Sequence, residues 1–176
     1  VTASGTFGFG EEYGEYTSLS EYGVFGAKGL TRFPREGNKP PRIAETPSGI
    51  LNSVGLQNPG VEYFKDHIMP ELAKHDTNVI ANMSGNTVEE YCEMAEILSE
   101  TDAAIIEMNV SCPNVKHGGL AFGTDPETVR NLTYEVKKHS KKPLVVKLSP
   151  NVTSITDIAK AAEDGGADGL SLINTL

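Results

Sequence analysis

The sequence has 176 residues, enough to bury one hydrophobic core, and its 38% hydrophobic and 22% charged residues are those of a globular chain. Its 24 acidic and 15 basic side chains leave a net charge of −9, which argues against a nucleic acid or an anionic membrane as partner. The cysteines number two, Cys92 and Cys112, with no C-x-x-C pair, no apolar run of membrane-spanning length and no signal peptide, so a cytoplasmic location is expected.

Thr2 to Gly5 reads as a short strand. It runs into the turn Thr6-Phe7-Gly8-Phe9-Gly10, whose glycines either admit a flat ligand close to the backbone or make an ordinary loop. Tyr13 to Ser20 reads as a short helix and Gly23 to Thr31 as the next strand. Lys28, placed before Gly29 at that strand's carboxyl end, can hold an anion, although a solvated lysine is the commoner case. Arg32 to Ser48 carries four prolines, Pro34, Pro40, Pro41 and Pro47, and reads as a long loop of the kind that tends to be functional. In Gly49 to Gly60, Asn52 and Asn58 sit among glycines, which suggests a tight loop offering backbone and amide groups.

Val61 to His75 reads as a helix with Phe64, Ile68 and Leu72 on one face, and Pro70 should kink it or start a new turn. Asn78 to Gly85 is a strand with Asn82 near its end. Thr87 to Glu100 is a helix opened by a capping box of Thr87 and Glu90. Its buried stripe is Val88, Tyr91, Cys92, Ala95 and Leu98, which gives Cys92 a place in the core and no chemistry.

The stretch Ile105-Ile106-Glu107-Met108-Asn109-Val110-Ser111-Cys112-Pro113-Asn114 organises the rest. It begins as a buried strand and ends in a polar cluster stopped by proline, so Cys112 should sit just past the strand's carboxyl end. In open α/β sheets and (β/α)₈ barrels that edge is where chemistry is done. Two carboxamides flanking a thiol can grip a planar, amide-like ring while the thiol moves a proton. The plainer alternative is a small apolar cysteine beside an asparagine turn.

Val115 to Gly123 is a glycine-rich loop leaving this cluster, in the place of a lid. Pro126 to His139 is a helix capped by Thr124 or Asp125, with Val129, Leu132 and Val136 inward. His117 and His139 lack partners at metal-ligand spacing, so no metal site is expected. Pro143 to Pro150 is a buried strand in which Lys147 follows Val145 and Val146; burying that ammonium is costly unless a ligand or carboxylate meets it. Ser154 to Asp164 is a helix ended by Gly165 and Gly166, and Asp168 to Thr175 is a last strand carrying Asn174.

Strand and helix alternate throughout, and six strands are counted. The expected class is α/β, a (β/α)₈ TIM barrel of which this chain covers about the first six βα units, since a complete barrel takes about 250 residues. Residues 1–176 are therefore expected to form a single barrel domain truncated at both ends. Ser4, Lys28, Asn82, Asn109, Lys147 and Asn174 fall at strand carboxyl ends, which core packing does not explain.

The segments Ala3-Ser4-Gly5-Thr6, Lys28-Gly29-Leu30-Thr31, Asn52-Ser53-Val54-Gly55-Leu56, Asn109-Val110-Ser111-Cys112-Pro113-Asn114, Val146-Lys147-Leu148-Ser149-Pro150 and Ile173-Asn174-Thr175 stand in the order and spacing of dihydroorotate dehydrogenase. The chain resembles that family from end to end. The resemblance implies an FMN-binding barrel that oxidises (S)-dihydroorotate to orotate in pyrimidine (UMP) synthesis. It implies that Cys112 takes the C5 proton while a hydride passes from C6 to flavin N5. The membrane-bound, quinone-linked branch carries serine there, so cysteine points to the soluble class.

By the same resemblance, Lys28, Asn52, Ser53, Val54, Gly55, Leu56, Asn109, Asn114, Asn174 and Thr175 would contact substrate. The four asparagines would serve the ring's amide edges and its carboxylate, and the Asn52–Leu56 loop would contribute backbone contacts. Ala3, Ser4, Gly5, Lys28, Gly29, Asn82, Asn109, Lys147 and Ile173 would contact FMN. Lys147 matches the lysine near the flavin's N1–O2 edge, where its charge would stabilise the anionic reduced flavin. Asn52–Gly60, Val115–Gly119 and Ile173–Leu176 resemble the NAD-linked form more than the fumarate-linked one. That form pairs its FMN subunit, expected as a homodimer, with a second subunit carrying FAD and a [2Fe–2S] cluster.

The departure from the family is the lack of the last two strands, whose loops often bind phosphate, so this chain alone is expected to bind FMN poorly or to fold only with the remainder. Two other readings stand beside this one. A flavin barrel acting on uracil or thymine, as in dihydropyrimidine dehydrogenase, shares the Asn…Ser-Cys-Pro pattern but departs after it, where this chain has Asn114-Val115. A non-catalytic barrel would keep the fold without turnover.

Overall fold

Five parallel strands form the body of the chain in the computed structural model, which describes residues 1–111 and 122–174. In chain order the strands are β1 (Val24–Gly26), β2 (Ile43–Thr46), β3 (Gly49–Asn52), β4 (Asn78–Met83), β5 (Ile105–Asn109), β6 (Leu144–Lys147) and β7 (Gly169–Ser171). The helices are α1 (Val61–Tyr63), α2 (Met69–Leu72), α3 (Val88–Ser99), α4 (Pro126–His139) and α5 (Ile155–Asp164). Strands β1, β4, β5, β6 and β7 neighbour one another in sequence order and every pair is parallel. Helices α3, α4 and α5 make the crossovers from β4 to β7. This is an α/β half-barrel.

Alternation along the strands divides the sheet into two faces. Ala81, Met83, Ile106, Met108, Leu144 and Val146 are fully buried, and share one core with Met94 and Leu98 of α3, Val129, Leu132 and Val136 of α4, and Ile158 and Ala162 of α5. On the other face Ile80, Ile105 and Val145 are only half-buried. At the carboxyl end of this face the register pairs Asn82 with Glu107 and Asn109 with Lys147.

The helix starts follow side-chain capping. Thr87 Oγ1 accepts the Glu90 N–H at 3.2 Å, but the Glu90 carboxylate turns to the N–H and side-chain amide of Asn86 (2.7 and 2.9 Å). The expected capping box is thus displaced by one residue, because Asn86 offers two donors where Thr87 offers one. Asp125, rather than Thr124, caps α4, accepting the Thr128 N–H at 2.8 Å. Ser154 caps α5, and the chain leaves that helix through Gly166 at φ 94°.

The amino-terminal third differs from expectation. Thr2 to Gly5 is a turn, not a strand, so the sheet has five strands among the described residues where six are expected. Gly5, Gly8 and Gly10 have φ of 89°, 53° and 96°, which bends this segment out of extended geometry. Thr2 Oγ1 instead accepts the Gly26 N–H at 2.8 Å and ties the segment across β1. Tyr13 to Ser20 is not a helix. Two 3₁₀ turns, Glu11–Tyr13 and Leu19–Glu21, flank it, and the first is fixed by Phe7 stacking on Tyr13 at 4.0 Å.

Strand β1 stops at Gly26, short of Thr31, because the Lys28 N–H turns to the Gly8 carbonyl (2.9 Å); pairing returns only at the Leu30–Met83 bridge. The loop expected from Arg32 to Ser48 contains β2, which pairs antiparallel with β3 from Ile43–Asn52 to Thr46–Gly49. Its residues are all exposed, so burial imposes no apolar alternation that would announce a strand.

The helix from Val61 ends at Leu72 and widens into a π turn over Phe64–Ile68. Pro70, which has no N–H to give, then stands in the first turn of α2, as the expected new turn requires. The last strand ends at Ser171 rather than Thr175. Most of the loop expected as a lid, 115–121, lies outside the described residues.

Asp168 fastens β7 to its neighbours. Its carboxylate accepts from Lys137 Nζ on α4 and from the Leu144 N–H at the start of β6, the latter at 2.6 Å. These bonds, the lysine's first, hold its pKa below the ordinary carboxylate value. A depressed folded-state pKa gives stability that is present above the unfolded pKa and lost as pH falls through the folded one. Asp168→Asn is therefore expected to lower the urea midpoint at about pH 7, and the gap to the parent should be smaller at about pH 3. Equal gaps at both pH values would show that the carboxylate's charge contributes nothing.

Candidate active site

The inner face at the carboxyl ends of β4, β5 and β6 holds four buried polar side chains: Asn82, Glu107, Asn109 and Lys147, at 2, 6, 7 and 8% exposure. Glu107 Oε1 accepts from Asn82 Nδ2 at 2.6 Å and from Ser4 Oγ at 2.5 Å, so the amino-terminal turn is bound to the middle of the sheet. Asn109 is held twice. Its Oδ1 accepts the Ser111 N–H (3.0 Å), which ends the strand in an Asx turn, and its carbonyl accepts the buried Tyr91 hydroxyl (2.7 Å). Tyr91 in turn meets Phe122 edge-on at 5.8 Å.

Lys147 makes no side-chain hydrogen bond or ion pair among the described residues. A buried ammonium without a counter-charge carries a desolvation cost that an anionic or electron-rich ligand would offset. Lys28 is half-buried and likewise has no described side-chain partner. Gly29 beside it is buried, and a Cβ there would stand 2.9 Å from Asn82 Oδ1. The Asn82 amide therefore reaches the backbone at the end of β1, and glycine makes that approach possible.

A second group surrounds a cavity of about 330 Å³ lined by Asn52 of the hairpin, Ser111, Ser149, Asn151 and Asn174, together with Ile50, Leu51 and Pro150. Ser111 directly precedes Cys112, and its hydroxyl is buried without a partner among the described residues. Asn174 is anchored there by its N–H to the Leu148 carbonyl (3.1 Å). The Ser53–Leu56 loop is shaped by Asn38, which donates its N–H to the Val54 carbonyl and its amide to the Ser53 carbonyl. Gly55 and Leu56 follow with φ of 77° and 56°. Asn58 is fully engaged within the loop, with Thr31, Leu56 and Gly60, and its work is structural.

The expected residues thus fall into four groups. Ser4, Gly29, Asn82, Asn109 and Lys147 meet at the inner rim, while Asn52 and Asn174 meet across the cavity. Ala3, Gly5 and Ile173 are exposed at the edges. Cys112, Asn114 and Thr175 lie outside the described residues. Sequence reasoning gave no role to Glu107 and treated Tyr91 only as core; the available signal was a lone carboxylate inside the apolar strand Ile105–Met108.

The family model for dihydroorotate dehydrogenase matches residues 1–176. The chain belongs to the dihydroorotate dehydrogenase family. Over 176 residues it is 56% identical to the catalytic subunit of dihydroorotate dehydrogenase B (NAD(+)) from Alkaliphilus metalliredigens, covering 100% of this chain and 58% of that relative. The subunit of the same name from Thermoanaerobacter pseudethanolicus is 57% identical with the same coverage. That from Brachyspira hyodysenteriae is 54% identical over 99% of this chain and 58% of its own length. The chain spans about three-fifths of the length of these relatives. Among the described residues no helix is long and apolar enough to cross a membrane.

The Tyr91 hydroxyl fixes the carbonyl of a rim asparagine from behind. Tyr91→Phe keeps the ring and removes the donor. It is expected to lower unfolding stability by about 1–2 kcal/mol in urea titrations, since a buried carbonyl loses a bond. A change within error would show that the bond adds nothing to the fold.

Proposed function

We propose that the protein to which this chain belongs oxidises dihydroorotate to orotate with FMN, and that it is the catalytic subunit of the NAD-linked form. In this reading residues 1–176 are part of a single FMN-binding barrel domain. The observation that carries it is the buried rim of Asn82, Asn109 and Lys147, with a lysine that has no described counter-ion. The residues present suit a flavin: a cation for its electron-rich edge, amides for its ring, and a Gly29 backbone that the Asn82 amide approaches closely. The activity for which these relatives are named supports dihydroorotate over uracil or thymine as substrate.

FMN, when bound, supplies the hydride acceptor. The rest is the chain's own work. Cys112 takes the C5 proton as a thiolate, and loss of that proton together with the C6 hydride leaves the C5=C6 double bond of orotate. Asn52, Asn109, Asn114 and Asn174 hold the ring's amide edges and carboxylate, with backbone contacts from Ser53, Val54, Gly55 and Leu56 and a further contact from Thr175. Carboxamides suit this task because each offers both a donor and an acceptor without charge. Lys28 meets both substrate and flavin. Ala3, Ser4, Gly5, Gly29, Asn82, Lys147 and Ile173 hold FMN, with the Lys147 charge at its N1–O2 edge.

The word "subunit" in the relatives' name supports an electron-transfer partner, which in this reading carries FAD and a [2Fe–2S] cluster. The barrel subunit is read as a homodimer in the cytoplasm.

The deciding test is anaerobic absorbance of the full-length flavoprotein before and after dihydroorotate is added. Bleaching of the flavin's visible band is expected; a flavin left oxidised would overturn the substrate. Cys112→Ala should still bind FMN but reduce it about 10²-fold more slowly or worse, and an unchanged single-turnover rate would remove Cys112 as the base. A thiol ordinarily titrates near about pH 8.5, so the parent's rate of flavin reduction should rise from about pH 6 to about pH 9. A flat profile would count against a thiolate base.

A further inference from the structure

Glu107 takes no part in the proposed reaction, yet it is a carboxylate at 6% exposure in the middle of the site. One oxygen, Oε1, receives both of its hydrogen bonds, from the Ser4 hydroxyl at 2.5 Å and the Asn82 amide at 2.6 Å. A carboxylate only accepts, so the Asn82 NH₂ must face it. The other end of that amide, Oδ1, then points away, toward the Gly29 backbone, where an added Cβ would meet it at 2.9 Å. The Ser4 hydroxyl has likewise given its only proton. Ser4 is left with lone pairs alone toward a third partner, and Asn82 presents its carbonyl oxygen on the side away from Glu107, its second N–H staying at the Glu107 end.

The inference rests on the FMN reading. We propose that Glu107 is a positioning residue that presets Ser4 and Asn82 as hydrogen-bond acceptors for the N–H of the flavin ring. Oxidised isoalloxazine carries a single ring N–H, in the imide between its two carbonyls. Carbonyls flank that N–H, so a freely rotating amide could bind in either sense; a fixed one cannot. Lys147 supplies the opposite character, a cation, at a register position paired with Asn109, which lies two residues beyond Glu107 on the same face. The rim therefore offers acceptors at one place and positive charge at another, as an imide N–H and an electron-rich N1–O2 edge require.

The test compares five forms of the full-length protein by FMN dissociation constant, read from flavin fluorescence. They are the parent, Glu107→Gln, Glu107→Met and Asn82→Ala, together with the Glu107→Met/Asn82→Ala double variant. Gln keeps an oxygen that can accept both bonds, so it should bind FMN within about threefold of the parent, while Met should weaken binding about tenfold or more. The double variant should lose less than the product of the two single losses, because part of the effect of Glu107 passes through Asn82 and the rest through Ser4. The parent should also prefer FMN over its N3-methyl analogue by about tenfold or more, a measurement that needs no variant to fold.

A Met variant that binds like the parent, losses that multiply in the double variant, or a parent indifferent to N3-methylation would each overturn the role of Glu107. A parent that binds no FMN would overturn the functional reading itself.

Discussion

A carboxylate inside a parallel sheet keeps its place only if neighbouring strands bring it hydrogen-bond donors, and Glu107 sets this condition for the whole rim. The register that pairs Glu107 with Asn82 is the one that puts Ile106 and Met108 under the helices. A slip of one residue would turn Glu107 into the packed core beside α3, where an unpaired charge costs about several kcal/mol. The donors come from β4 and from the turn before β1, at sequence distances of 25 and 103 residues. One buried charge therefore reinforces the strand register and ties the amino-terminal segment to the sheet. It also decides which way the Asn82 amide faces.

Glu107 and Lys147 are both charged and almost equally buried, but the structure treats them differently. Glu107 is satisfied by two neutral donors, so its hydrogen bonds are made while its charge stays uncompensated locally. Lys147 has no described side-chain partner. A direct ion pair between them would have lowered the cost of burying each and left nothing for a ligand. Holding them in separate environments keeps the lysine available, at a cost in stability of the kind that functional sites carry.

The parts of this fold legible in the sequence are those with local causes. Helices α3, α4 and α5 declare themselves by a capping residue and an apolar stripe, and their observed limits fall within two residues of expectation. Strands β4, β5 and β6 are apolar runs between those helices. Lys147 could be singled out because burying an ammonium is costly whatever surrounds it. The misread segments have distant causes. The Thr2 to Gly5 stretch has strand-forming residues, but its pairing is decided by Gly26 and Glu107. The hairpin of β2 and β3 is surrounded by prolines and buries neither face, so periodicity had nothing to report.

Glu107 illustrates why sequence reasoning can name the residues of a rim and still miss the one beneath them. Asn82, Asn109 and Lys147 stand near strand ends, where a polar residue suggests a ligand. Glu107 stands two residues earlier, among apolar neighbours, where a single acid looks like an exception within a strand. Only the parallel register reveals that it lies beside Asn82, and only the bond pattern reveals that both donors converge on one oxygen. The strand ends supply groups that can touch a ligand, while the layer beneath decides which hydrogen-bonding character those groups present. In a half-barrel whose inner face is lined above by amides, the acid below converts two ambivalent partners into directed ones.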